Sequence, residues 1–286
     1  MKAKFLRLGF HDCVGGCDGC VDLGNIDNRG LKLPIDSLEP IVNTREFLTR
    51  ADIWALATLW AAETMQADGG VETPFPFTTY GRIDCGADFK GGPDRGMPST
   101  EFTTHELLDF FNDNFDFSAR ETVVILGAHS VGQAARENSG YDGPNGWDAT
   151  NDVLDNDYYH QLVGKPGKLD KAPSQGQKWQ QVEIDNTDVV DIGEEVQWVR
   201  DTLGNQGGNE IFMLHADVAL VRDLTGKFND ENGFVSCEFG NVPPVQRCPM
   251  ADETIELMSE YREDEQLWIE DFRDTLTKMV NTLPTV

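Results

Sequence analysis

The sequence predicts a mainly α-helical fold with one small β-hairpin. Three observations carry that reading. Apolar residues recur at helical spacing over several windows, capping signals open two of them, and the chain lacks the alternation of strands and helices that a parallel sheet requires. Residues 3–13 form a short apolar-rich segment ending in Phe10, His11, Asp12 and Cys13. Residues 50–65 carry apolar side chains at helical spacing with few breakers. The window 104–112 has a threonine start with Glu106 close behind, a helix N-terminus signal. The window 118–132 opens with Ser118 and Glu121 in the Ser-x-x-Glu capping arrangement, runs on apolar, and breaks around His129 between Gly127 and Gly132. Alternation over 182–192 predicts the hairpin. Residues 209–222 read as a further helix, and 251–259 and 263–281 as two more, the last with Phe272, Leu276 and Met279 at helical spacing. The stretches 66–102 and 138–152 read as loops, and 164–208 as a polar, irregular insertion.

At 286 residues the chain is long enough to bury a cofactor. Its 39% hydrophobic and 26% charged residues suit a soluble globular protein, and no apolar run is long enough to span a bilayer. The start, MKAKFLRLGFHD, has a basic tip but no apolar centre or cleavage site, so it does not read as an intact signal peptide. Fifty acidic against 23 basic residues give a net charge of −27, which argues against nucleic-acid and anionic-membrane partners. The same charge serves solubility, or attracts metal ions and basic proteins. Six cysteines occur. Cys17 and Cys20 form a lone CxxC with no second pair or histidine partner, so three disulfides in an oxidising compartment explain the count better than zinc. Cys237 and Cys248 are the close pair; one of Cys13, Cys17 and Cys20 then reaches Cys85, and spacing leaves open which.

Two of the five histidines sit in dense local patterns. Arg7 and His11 are four residues apart, on one face of a helix. A neutral imidazole beside a guanidinium suits heterolysis of a peroxide: the imidazole moves a proton between the two oxygens and the arginine stabilises the departing one. Phe10 supplies an apolar wall. His129, in Leu-Gly-Ala-His-Ser-Val-Gly, reads as a metal ligand whose other ring nitrogen needs an acceptor, for which Asp217 and Asp223 are the candidates.

These motifs, in this order, resemble the plant-type haem peroxidase superfamily over nearly the whole chain. RLGFHDC and the Gly/Cys/Asp loop after it resemble the distal side of the secreted plant and fungal peroxidases; LGAHSVG, NSGYDGP and DNDYY resemble the proximal side of the cytochrome c and ascorbate peroxidases, and the final helix also resembles that class. The resemblance implies one domain, 1–286, of about ten helices, with haem b between a distal half (near 1–115 plus the C-terminal helix) and a proximal half (near 116–260). It implies that His129 is the axial ligand of the iron, that MLHADVAL makes Asp217 its partner, and that Asn28 in IDNRGL orients His11. The activity implied is reduction of hydrogen peroxide with oxidation of a one-electron donor. That donor is expected to be a small phenolic or aromatic molecule, with a basic protein as the alternative reading. A calcium-binding matrix protein without turnover is the third reading, and the presence of Arg7, His11, Asn28, His129 and Asp217 together weighs against it. The compartment implied is extracellular or otherwise oxidising.

The departures are specific. Phe10 stands where the intracellular class has tryptophan, which disfavours a catalase-peroxidase. Asn138 stands in place of the arginine that contacts ascorbate, Ala135 in place of the acid of manganese peroxidase, and Val124 in place of the surface tryptophan of lignin peroxidase. The helix that precedes the distal one in the family has no counterpart before residue 1. Calcium is implied as a second cofactor. The proximal pattern of the secreted classes matches Ser130, Asp148, Thr150, Val153 and Asp155; the distal pattern matches Asp12, Gly16 and Asp18, but Cys20 replaces a serine, so one ion is expected more firmly than two. Trp147 matches the proximal tryptophan of the cytochrome c and ascorbate enzymes, two residues further from the histidine through Asn145 and Gly146. With a divalent cation beside it, Trp147 is expected to pack against His129 while the second oxidising equivalent resides on the porphyrin.

Overall fold

A computed structural model describes residues 1–66, 73–86, 96–143, 145–148, 150–164, 179–200, 211–230, 233–238 and 247–281. Among these residues the chain forms ten α-helices, five short β-strands and two 3₁₀ turns, a mainly α fold. It divides into two compact units: Met1–Met97 with Asp152–Leu154 and Glu270–Val286, and Pro98–Asn151 with Asp155–Ile269.

In the first unit, α1 (Lys2–Gly15) packs on α3 (Arg50–Thr64), and α2 (Lys32–Val42) covers one side. The close approach of α1 to α3 needs Gly9: a Cβ there would lie 2.1 Å from the Thr58 Oγ1. Leu8, Leu31, Leu38, Ile53, Trp54 and Ala57 make the core, with Phe272, Leu276 and Met279 of α10 (Glu265–Asn281) buried in the same unit. The Thr49 side chain caps α3 by accepting from the Asp52 N–H. Asp52 in turn pairs with Arg82 at 2.9 Å, both fully buried. The same guanidinium donates to the Val280 carbonyl and the Asn281 side chain, so the buried charge is fully engaged. Disulfides join Cys13 to Cys17 and Cys20 to Cys85, so Cys20 is the member of the crowded trio that reaches Cys85.

The second unit begins with α4 (Thr104–Phe115) and α5 (Ala119–Leu126), each opened by a full capping box, Thr103 with Glu106 and Ser118 with Glu121. The cap of α4 is thus one residue before the expected start. A 3₁₀ turn over Gly127–Ser130 follows α5, then the short helices α6 (Arg136–Ser139) and α7 (Asp157–Val163). Strands β1 (Trp179–Ile184), β2 (Glu195–Arg200) and β3 (Phe212–Met213) form an antiparallel sheet in that order. Next come α8 (His215–Ala219), the hairpin of β4 (Lys227–Asp230) and β5 (Gly233–Ser236), α9 (Ile255–Glu263) and the first turn of α10. Cys237 pairs with Cys248, as their spacing suggested.

Three expectations are corrected here. The window 209–222 is not one helix; 209–210 lie outside the described residues, Phe212 and Met213 pair with Val199 and Trp198 as a strand, and the helix is only His215–Ala219. A short apolar run does not reveal by periodicity whether it becomes a buried strand or a helix, and its partner is distant in sequence. The hairpin is wider than expected: residues 189–192 lie in the connection between β1 and β2, not in a strand. The stretch 164–208 is therefore partly sheet; 165–178 and 201–210 lie outside the described residues.

Candidate active site

The first cluster forms around α1. The 3₁₀ turn Ile26–Asn28, capped by the Asn25 side chain on the Asp27 N–H, gathers three side-chain contacts from the helix face. Arg7 donates to the carbonyls of Arg29 and Asp27 at 2.8 and 2.7 Å. His11 Nδ1 lies 2.7 Å from the Asn28 Oδ1. The Asn28 amide N–H donates to the Asp22 carbonyl at 2.9 Å, which fixes Oδ1 as the end facing His11. His11 Nδ1 therefore carries the proton and Nε2 the lone pair. Burial, with the nearby Arg7 charge as the second cause, holds the His11 pKa down to about 3, against the smaller upward pull of Asn28. The imidazole is thus neutral over the ordinary pH range. Burial likewise lowers Arg7, opposed by Asp27. Phe10 stands edge-on to His11 with ring centroids 5.9 Å apart.

Past the end of α1, Gly16 adopts a φ of 121°, open to glycine and little else. The Asp12 Oδ1 accepts from the Gly19 and Cys20 N–H groups, and the Asp18 Oδ1 from that of Cys20. Burial, then the Asp18 charge, push the Asp12 carboxyl up to about 8. Asp18, Cys20 and Cys85 bring three ligand-type atoms within 4.8 Å, but both sulfurs belong to the disulfide, so this is no cation site.

The second cluster forms where α5 ends. His129 Nδ1 is 2.9 Å from the Asp217 Oδ1; Asp217 is fully buried at the start of α8, while the His129 side chain is 30% exposed. Asp223, the other candidate acceptor, instead receives the N–H and hydroxyl of Thr225. Asp217 also accepts from the Tyr158 hydroxyl and from the Leu214 N–H. Trp147 stacks on His129, centroids 3.9 Å apart and planes at 8°. Its outer face meets Phe212 of β3 at 4.2 Å. Phe212 fits because residue 143 is glycine: a Cβ there would lie 2.1 Å from the Phe212 ring. Neither Tyr158 nor Phe212 was picked out from sequence, although Tyr158 is the first tyrosine of the DNDYY motif. Gly127 is required for a similar reason, since its Cβ would meet the Tyr159 hydroxyl at 2.5 Å and the Trp268 Nε1 at 2.6 Å.

The acidic loop beside this cluster has an open valence. Asp148 is fully buried, its Oδ1 accepts from the Thr150 N–H, and its Oδ2 has no hydrogen-bond partner. The Thr150 hydroxyl donates to the Asp155 Oδ2, and the Ser130 Oγ accepts from the Asp155 N–H. Burial, followed by the charge of Asp155, pushes Asp148 up to about 8, and burial also raises Asp155. Two carboxylates, one of them with an orphaned buried oxygen, and two hydroxyls are a donor set that suits calcium. Val153, the remaining predicted ligand, falls in the Asp152–Leu154 segment assigned to the first unit.

The residues also fit haem. His129 has one nitrogen tied to a buried carboxylate, while Nε2 meets no hydrogen-bond partner among the described residues. The Peroxidase family model matches residues 1–228. Two relatives are a predicted heme-binding peroxidase of Debaryomyces hansenii, 27% identical over 231 residues (76% of this chain, 46% of that protein), and another of Yarrowia lipolytica, 29% identical over 182 residues (59% and 58%). A third is a mitochondrial cytochrome c peroxidase of Pyricularia oryzae, 28% identical over 236 residues (79% and 56%). The chain spans about half the length of the curated relatives it matches.

Proposed function

From the premise that the chain belongs to the peroxidase family, we propose that it is a haem b peroxidase that reduces hydrogen peroxide to water while oxidising a one-electron donor. One observation carries the reading. His11 and His129 each have Nδ1 held by a buried acceptor, Asn28 and Asp217, which leaves each Nε2 with its lone pair outward. One such imidazole suits an axial ligand and the other a proton shuttle.

A haem held by His129 would supply the redox chemistry, the two-electron reduction of peroxide and the one-electron oxidation of the donor. His11 Nε2 takes the proton from one peroxide oxygen and returns it to the other, which leaves as water. Asn28 keeps Nδ1 protonated throughout, so only Nε2 exchanges protons. Arg7 contributes positive charge for the departing oxygen, anchored by the carbonyls of Asp27 and Arg29. Asp217 holds the His129 ring and strengthens its donation to the metal. Ser130, Asp148, Thr150 and Asp155 would hold a calcium ion beside this ligand.

For the donor, a small phenolic or aromatic molecule is the first reading. A basic protein is the second, favoured by the net charge of −27 and by the name of relatives such as the cytochrome c peroxidase. The three disulfides support an extracellular or other oxidising compartment. The test is a Soret band in purified protein and peroxide turnover against a panel including guaiacol and reduced cytochrome c. A protein that takes up haem yet consumes no peroxide with any donor would overturn the reading.

A further inference from the structure

The acceptor of His129 is shared. The Asp217 Oδ1 takes hydrogen bonds from both His129 Nδ1, at 2.9 Å, and the Tyr158 hydroxyl, at 2.8 Å, while Oδ2 takes the Leu214 N–H at 2.8 Å. Asp217 and Tyr158 have no exposure to solvent, so water neither screens these contacts nor replaces them. Trp147 lies flat on the imidazole, and the described donors to Asp217 do not include its indole. The second side-chain donor to this carboxylate is therefore a phenol on α7. Two donors on one oxygen compete for its electron density: the more Oδ1 gives to the phenol, the less it draws on the His129 Nδ1 proton. A weaker pull on that proton makes Nε2 a weaker electron donor.

We propose that Tyr158 is a positioning residue that limits the imidazolate character of His129 and thereby raises the reduction potential of an iron bound there. The proposal rests on His129 being the axial ligand. Tyr158→Phe keeps the ring and removes only the competing donor. It leaves Oδ1 wholly to His129, strengthens the metal–histidine bond and favours ferric over ferrous iron. The effect expected is about one hydrogen bond's difference, roughly tenfold in the ferric-to-ferrous ratio at fixed potential, or about 59 mV in the negative direction.

The experiment uses holoprotein, with resonance Raman of the ferrous form and a spectroelectrochemical midpoint. Tyr158→Phe should raise the iron–histidine stretching frequency and lower the midpoint. A fluorotyrosine at 158, which folds with the hydroxyl retained and donates more strongly, should move both the opposite way. In an Asp217→Asn background Tyr158→Phe should do neither, which a merely structural role for the ring would not produce. An iron–histidine band that stays unmoved in both the Phe and the fluorotyrosine proteins overturns the role of Tyr158 and leaves the ligand assignment intact. Absence of that band in wild type overturns both.

Discussion

At the scale of single residues, two imidazoles with the same internal arrangement are separated by their acceptors. The amide of Asn28 is neutral, so burial prevails and keeps His11 uncharged; the carboxylate of Asp217 makes His129 electron-rich. His129→Ala should therefore abolish the normal Soret band, with partial return on adding imidazole, and an unchanged absorption spectrum would rule the assignment out. His11→Ala should slow the reaction with peroxide in stopped flow by more than the roughly 10²–10⁴ of a single acid–base group, because proton transfer and positioning are lost together. The pH dependence follows from sign. The base must be neutral, and His11 gains its proton only near pH 3. The wild-type rate should stay level through mildly acidic pH and fall only as pH approaches that value; an acid limb centred near the ordinary histidine pKa of about 6.5 would contradict the burial argument. Much of this was legible in the sequence, since Arg7 with His11 and the glycine-flanked His129 are short-range patterns. Tyr158 and Phe212 were not, because their importance lies in contacts with Asp217 and Trp147, 59 and 65 residues away in the chain.

At the scale of elements, local signals located helices wherever capping was written into consecutive residues. The α5 box is one case: Ser118 accepts from the Glu121 N–H, and the Glu121 carboxylate accepts from Ser118 in return. Ser118→Ala should cost about 1 kcal/mol in urea unfolding. Gly127→Ala, at the other end of the same helix, should cost about 1–3 kcal/mol, because the added methyl meets the Tyr159 hydroxyl and the Trp268 indole; a neutral result would mean that both rings can retreat. Elements whose reason for existing is a remote partner stayed hidden. Strand β3 is two residues long and exists because Trp198 and Val199 of β2 are there to pair with it. The hairpin turned out wider than its alternating residues suggested, because ladder pairing from Trp179 to Ile184, not the pattern in 189–192, sets the strands.

At the scale of the molecule, charge and cations matter most. A ligand that binds only the folded state stabilises it by mass action, so prolonged EDTA should lower the melting temperature and added calcium restore it, through Asp148 and its neighbours. Fresh protein with no calcium by metal analysis would refute that. The charge of −27 makes a second separation possible. With a basic protein donor, turnover should fall steeply as salt rises, whereas with a neutral phenol it should hardly change. The helical class and the order of the motifs were plain from sequence, and the first unit, like the half expected from the resemblance, joins N-terminal residues to the C-terminal helix; the short Asp152–Leu154 segment in it had no local signal. That division bears on how the protein is born. The buried Arg82 donates to the carbonyl of Val280 as well as to that of the nearby Thr79, so the first unit lacks one of its buried partners until residue 280 has been made, while the second has all of its residues by Ile269. A chain that folds as it is made would then leave the apolar faces of the N-terminal helices uncovered for longer than those of the second unit.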